Sequence, residues 1–191
     1  MRFDIAPNLS LQLLQPDDAD LLFEVVDRNR AHLRQWLPWL DRNTTRVHSR
    51  AFIESIHHQL DAGKGFACGV FWDNSLAGLC GFHEIDTHNQ SVVIGYWLAE
   101  AFQGNGIISR CTAFFIDYAF TELGLQRVDI PVAERNIRSR AVCERLGLSN
   151  EGTIENAEWL YDKWVNHIRY SISAMEWRDA GRSGFGASGR Q

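Results

Sequence analysis

Leu9-Ser-Leu-Gln-Leu-Leu14 alternates apolar with polar residues and predicts a strand. Pro16-Asp-Asp follows, with acids placed for a helix start, and Leu21, Leu22, Val25 and Val26 then share one helical face. Trp36-Leu-Pro-Trp-Leu40 is aromatic, and Pro38 argues against one straight helix through it. Thr44 or Thr45 can cap a further helix carrying Phe52, Ile56 and Leu60, with Gly63 as its stop.

The period then changes from helix to strand. Gly65–Trp72 and Leu76–Ile85 are β-rich runs, and Asp73-Asn74-Ser75 between them signals a hairpin. A third run, Ser91–Leu98, ends at Phe102-Gln-Gly-Asn-Gly-Ile-Ile108. From there Ile107, Cys111, Phe114, Phe115, Tyr118 and Glu122 keep helical spacing, and Leu123-Gly124 marks the exit. Arg127–Val132 reads as a strand, Asn136 as the cap of a short helix ending at Leu146-Gly147, and Leu148–Leu160 and Trp164–Ile172 as the last β-rich runs. Three consecutive strands in the middle favour an α+β fold with a mixed sheet over a strictly doubly wound one. One domain over residues 1–178 is expected, followed by a flexible Gly/Ser/Arg tail over 179–191.

Composition narrows the partners. Of 191 residues, 45% are hydrophobic and 23% charged, an ordinary globular balance with enough apolar material for one core. No apolar run approaches the ~18 residues needed to span a bilayer, and Asp4 interrupts what would be a signal peptide's apolar stretch. A net charge of −5 has the wrong sign for a surface that holds nucleic-acid phosphate. Four cysteines with no C-x-x-C pair are expected to be reduced thiols in a cytoplasm. Seven Trp and eleven Phe are the one unusual figure.

The sharpest local signal is a strand, then Gln103-Gly104-Asn105-Gly106-Ile107-Ile108-Ser109, then an apolar-periodic helix. Glycines let a backbone turn tightly and bring its N–H groups to a ligand, and the helix N-terminus adds partial positive charge. A diphosphate suits such a site; a tight strand-to-helix turn without a ligand is the plain alternative. No Lys follows Gly106, which excludes an NTPase phosphate loop, and no third glycine completes G-x-G-x-x-G.

Ile94-Gly-Tyr-Trp-Leu98, Gln103-Gly-Asn-Gly-Ile-Ile108, Asn136-Ile-Arg-Ser139 and Leu146-Gly147, in that order, resemble the GNAT acetyltransferases, and most of all their RimJ/RimL branch. The resemblance runs over about residues 8 to 176. It implies a mixed, mostly antiparallel central sheet flanked by helices and direct acetyl transfer from acetyl-CoA to an amine. The acceptor would be a protein N-terminus, such as that of a ribosomal protein, or else a small amine such as a polyamine, amino acid or antibiotic. A non-catalytic acyl-CoA-binding domain is the third alternative, and the oligomeric state, a homodimer included, is left open.

By the same resemblance, Gln103, Gly104, Asn105, Gly106, Ile107, Ile108 and Ser109 would hold the pyrophosphate of acetyl-CoA, with Asn136 beside the pantetheine arm. A backbone N–H near Trp97 or Leu98, where the family's strand carries a bulge, would bind the oxyanion. Ser139 would serve the departing thiolate by hydrogen-bond donation, and Asn136 and Ser139 also read simply as cap and first turn of a helix. Many relatives carry Glu where this chain has Val93, so the base is vacant or has moved. Glu100 is the first substitute and Glu84 and Asp86 follow, although each also reads as a solvated carboxylate. Trp36, Trp39 and Trp159 are candidate walls of an acceptor groove, with core packing the alternative.

No metal is expected. His83-Glu84-Ile-Asp-Thr-His88 puts its second His one residue too far for H-E-x-x-H, and adjacent His57 and His58 point to different sides of a helix. Cys111 and Cys143 fall on apolar helical positions and read as core.

Overall fold

The computed structural model describes residues 1–181. Its strands are β1 (Arg2–Ala6), β2 (Leu9–Gln12), β3 (Phe66–Trp72), β4 (Ser75–Asp86), β5 (Ser91–Leu98), β6 (Arg127–Ala133), β7 (Ser149–Leu160) and β8 (Lys163–Ser173). They form one sheet in the order β1-β2-β3-β4-β5-β6-β8-β7, antiparallel except for β5 beside β6. The helices are α1 (Ala19–Arg28), α2 (Arg30–Leu33), α3 (Arg46–Asp61), α4 (Ile107–Thr121), α5 (Ile137–Arg145) and α6 (Ala174–Asp179).

Local chemistry sets several boundaries. Thr45 caps α3 by accepting the His48 N–H, and Asn136 caps α5 by accepting the Ser139 N–H. Asp73 (φ 46°) and Asn74 (φ 62°) give the β3–β4 hairpin two consecutive left-handed residues, the turn whose twist matches the strands. After α2 the chain turns irregularly through Trp36–Leu40, as the proline implies. Besides the one-turn α2, two elements are additional to those the sequence pattern predicts. One is β1, a short edge strand paired only with β2. The other is α6, started by a reciprocal Ser173–Glu176 capping box, so the expected tail begins inside a helix. The rest of that tail, 182–191, lies outside the described residues.

Two apolar clusters lie within this frame. The larger packs Phe66, Phe82, Phe114 and Phe115 around α4, with the Phe82 and Phe115 rings 5.0 Å apart. The smaller joins Leu22 and Val26 of α1 to Leu79 of β4 and Trp97 of β5. Burial of roughly 1.5–3 kcal/mol per such side chain makes these clusters the main source of stability. All four cysteines are buried free thiols.

β5 is where the sheet opens. Ser91, Val92 and Val93 pair in parallel with Arg127, Val128 and Asp129, and the pairing stops there. β6 stays paired with β8 through Ala133, so β5 and β6 diverge beyond Val93. The result is a wedge in the middle of the sheet, lined by strand backbone.

Beyond the wedge, charge ties β6, β7 and β8 together. The Asp129 carboxylate accepts Arg127 Nη2 at 2.7 Å and Arg169 Nε at 2.9 Å, and Glu151 accepts Arg127 Nη2 at 2.6 Å and the Ser171 hydroxyl at 2.7 Å. Burial pushes the Asp129 pKa up, but the two arginines outweigh it and leave it lowered. Arg127 and then Ser171 hold Glu151 down to about 2. Carboxylates depressed on folding stabilise above their unfolded pKa, and that stabilisation is lost as pH falls through the folded value. Thermal melts should therefore show Tm dropping between roughly pH 4.5 and 2, with a smaller drop in Glu151→Gln.

Candidate active site

Three elements converge on the wedge. The first is the backbone of β5. Ala99 N–H donates to Ala77 O on the β4 side. Strand alternation then sends the N–H groups of Gly95 and Trp97 toward β4, and those of Ile94, Tyr96 and Leu98 into the wedge. Of the two donors considered from sequence, Leu98 has the suitable direction. The expected bulge at that point is not there: Trp97 and Leu98 pair in unbroken register with Leu79 and Gly78, and the register shift lies in β4, at His83. The open wedge frees the Leu98 N–H without a bulge. The Trp97 side chain belongs to the smaller apolar cluster and its N–H is turned to β4, so neither faces the wedge.

The second element is the turn from β5 into α4. Gly104 (φ 84°) and Gly106 (φ 67°) are left-handed, and a Cβ on either would meet nothing within 4 Å. Gly106 is the N-cap of α4 and offers no side chain to the first N–H groups of the helix. Those of Ile107, Ile108 and Ser109 are thus left to an external acceptor. Ile107 and Ile108 are buried in side chain and serve only through backbone. Asn105 stays inside the turn, its amide donating to Phe102 O and Gln103 O. Arg145 donates to Ser109 Oγ at 2.8 Å and Arg110 to Asn105 O at 3.2 Å, so two guanidinium groups flank the turn. Gln103 lies 2.9 Å from His32 Nε2, and its Oε1 is buried with no hydrogen-bond partner. Asn29 Oδ1 accepts the Glu100 N–H at 3.0 Å. The α1–α2 junction is thereby fastened to the turn at two points.

The third element is α5. Ser139 Oγ is 3.0 Å from the Tyr96 hydroxyl, which also donates to Ser139 O at 3.3 Å. Burial holds the Tyr96 pKa well above its usual value, so the phenol stays protonated. Burial likewise raises the Cys143 thiol, 3.9 Å from that phenol, to about 12. A buried thiol of this kind is no nucleophile. Asn136 is occupied as the cap. The hydroxyl pair can donate a hydrogen bond to a charge developing in the wedge. Tyr96 is not singled out by the sequence pattern, although it lies within Ile94-Gly-Tyr-Trp-Leu98. Its side chain alternates with that of Trp97 and so points to the opposite face, toward α5.

The candidate carboxylates differ in setting. Glu100 is exposed just beyond β5, and Glu84 is exposed and is the Cα partner of Val93. Asp86 accepts the Asn89 N–H at 2.9 Å and its amide at 2.6 Å, contacts that lower its pKa and suit a turn-former rather than a base. Among the aromatics, Trp36 and Trp39 are half-buried, and Trp39 packs on the smaller cluster. Trp159 is 50% exposed and packs edge-on against Trp164. The β7–β8 turn reaches the Trp36–Leu40 segment directly: Tyr161 OH donates to Leu37 O at 2.6 Å, and Arg34 lies over the Tyr161 ring. The two aromatic regions therefore border one another. Among the described residues no group of His, Cys, Asp and Glu could hold a metal, and no helix is long and apolar enough to cross a membrane.

An open wedge between parallel strands, followed by an uncapped helix N-terminus, matches a known family. Residues 8–149 fit the acetyltransferase (GNAT) domain. The chain belongs to the GNAT acetyltransferases. It is 35% identical over 173 residues to YdaF of Bacillus subtilis, provisionally named a ribosomal N-acetyltransferase, covering 89% of this chain and 93% of YdaF. Against the ribosomal-protein-serine acetyltransferase of Escherichia coli it is 28% identical over 162 residues, 84% of this chain and 89% of the relative. The structure of RimL, the ribosomal L7/L12 α-N-protein acetyltransferase, in complex with coenzyme A superposes with a TM-score of 0.87 at 26% identity, covering 91% and 98% of the two chains. This chain is thus a GNAT enzyme of the N-acetyltransferase type, with the family's mixed, mostly antiparallel sheet.

Proposed function

We propose that this enzyme transfers the acetyl group of acetyl-CoA to a protein N-terminal α-amine of the ribosomal-protein type. The observation that carries the reading is the uncapped start of α4, open at two left-handed glycines and flanked by Arg110 and Arg145, at the end of the strand whose Leu98 N–H enters the wedge. That arrangement fits the pyrophosphate of coenzyme A, and RimL binds coenzyme A on the same fold. Gln103–Ser109 would hold the pyrophosphate.

The chemistry then divides among this chain's groups. An α-amine, with pKa near ~8, is partly neutral at pH 7 and attacks the thioester carbonyl carbon. Leu98 N–H donates to the oxygen that becomes negative. As the C–S bond breaks, the Ser139–Tyr96 hydroxyls donate to the sulfur that takes the electron pair. A net charge of −5 is compatible with a basic acceptor protein, and four buried free thiols suit the cytoplasm as its compartment.

The aromatics beside Tyr161 would wall the acceptor groove. Trp159→Ala, at an exposed position, should raise acceptor KM about tenfold, roughly 1.4 kcal/mol, with acetyl-CoA KM unchanged. Trp39→Ala should do the same if it stays folded. An unchanged acceptor KM in both variants would remove the groove.

Thiol release from acetyl-CoA, followed with free N-terminal peptides, polyamines, amino acids and aminoglycosides, tests the function. The peptides should show the highest kcat/KM. Faster turnover of a small amine would contradict the acceptor class, and coenzyme A binding without any turnover would point to a binding domain.

A further inference from the structure

The reaction needs a proton acceptor, and Val93 cannot be one. β4 is where the chain compensates. Phe82 pairs with Ile94 and Glu84 with Val93, which leaves His83 as an extra residue in a β-bulge. Bulges re-aim side chains. Here the imidazole is laid across β5: a Cβ on Gly95 would stand 1.9 Å from His83 Nε2 and 2.2 Å from its Cδ2. Only the missing side chain at Gly95 leaves room for the ring.

The face is informative. A Cβ on Gly95 would point to the same side as Val93 and Trp97, and Trp97 packs against Leu22 and Val26 of α1. His83 therefore sits on the Val93 side of the sheet, opposite the face on which Tyr96 meets Ser139. Amine deprotonation and thiolate stabilisation would come from the two sides of one strand.

We propose that His83 is the base that removes the proton from the acceptor amine, in the role left empty at Val93. This rests on the acetyl-transfer reading and assigns it a residue. Among the described residues nothing hydrogen-bonds to the His83 ring, and the residue is exposed. Partial desolvation where the ring lies on β5 lowers its pKa below the usual imidazole value, with no contribution from Glu84 or Asp86 on its own strand or from Lys64, whose carbonyl accepts the Ile85 N–H. It is thus neutral at pH 7, with a lone pair to offer.

Leu98 lies three residues beyond Gly95, about 10 Å along a strand at ~3.3 Å per residue. His83 Nε2 ends beside Gly95, so a short chain of waters along β5 would carry the proton over that span. The amine lone pair forms the C–N bond, the nitrogen becomes cationic, and His83 takes its proton. The C–S pair leaves with sulfur, and imidazolium returns the proton to solvent.

The test uses the full chain with whichever amine the wild-type enzyme turns over fastest. His83→Gln should lower kcat about 100-fold and leave acetyl-CoA KM within about twofold. At acid pH the plot of log kcat/KM against pH should have a limiting slope of about two in the wild type, one proton from the amine and one from the base. In His83→Gln it should fall to about one. Gly95→Ala should displace the ring and reproduce the loss, and the double variant should be no slower than the slower single one. Wild-type kcat and slope in His83→Gln, or the full loss in Glu84→Gln alone, would overturn the assignment. A wild-type enzyme that prefers a small amine contradicts the acceptor class and leaves this comparison intact. No turnover of any amine would overturn both.

Discussion

Ser139→Ala is expected to lower kcat by about 100-fold while acetyl-CoA KM changes little. The expectation follows from when the contact matters. A thioester sulfur is a poor acceptor in the ground state, whereas a departing thiolate is a strong one, so a donor there acts mainly on the transition state. Losing one pre-aimed donor to a developing anion costs about 10²–10³ in rate. Tyr96→Phe should show a smaller loss, about tenfold, because it removes the partner 3.0 Å from Ser139 Oγ and keeps the serine. Both positions are half-buried, and the Ser139 N–H that Asn136 accepts is backbone, so the α5 cap survives either change. Circular dichroism should report a folded protein in each case. An unaltered kcat for Ser139→Ala would remove the hydroxyl pair from the chemistry.

Gly106→Val is expected to weaken acetyl-CoA binding at least about 30-fold, read by calorimetry. Two effects add. At φ 67° a β-branched residue pays roughly 1–2 kcal/mol of backbone strain. Its side chain would also enter the open space before the first N–H groups of α4, where the pyrophosphate would lie. Gly124→Val separates the two. Gly124, beyond the far end of α4, has φ 66° and equally open surroundings, so it carries the strain without the obstruction. That variant should lose stability and keep its affinity for acetyl-CoA. Equal affinities in the wild type and Gly106→Val would contradict the anion site.

Elements whose signals are local were legible in the sequence. Ser91–Leu98 alternates and is bounded by turn residues, Thr45 and Asn136 are good caps, and Asp73-Asn74 is a hairpin pair. β1 was not legible, because five residues with a half-exposed pattern carry little periodicity and gain their order from pairing with β2. The Ser173–Glu176 capping box of α6 was readable but sat beside a composition that suggests a tail.

The site divides along the same line. Gln103–Ser109 is contiguous, so its glycines and helix start could be read directly. Tyr96 with Ser139 lies across 43 positions, and which face of β5 meets α5 is decided by packing. The His83–Gly95 contact depends on a one-residue register shift, which reverses the side-chain alternation downstream and has no signature in composition. The seven Trp are divided in the same way. Trp97 and Trp177 are buried, whereas Trp159 and Trp164 form an exposed pair whose role depends on a partner.

Acetyl transfer to an α-amine is decided by where the acetyl group lands on a peptide. A peptide with a free N-terminus and one internal lysine is incubated with acetyl-CoA and the enzyme, and tandem mass spectrometry locates the product. A single acetyl group on the N-terminal nitrogen is expected, and no product when that nitrogen is blocked beforehand. Acetylation confined to the lysine, or undiminished after blocking, would contradict it.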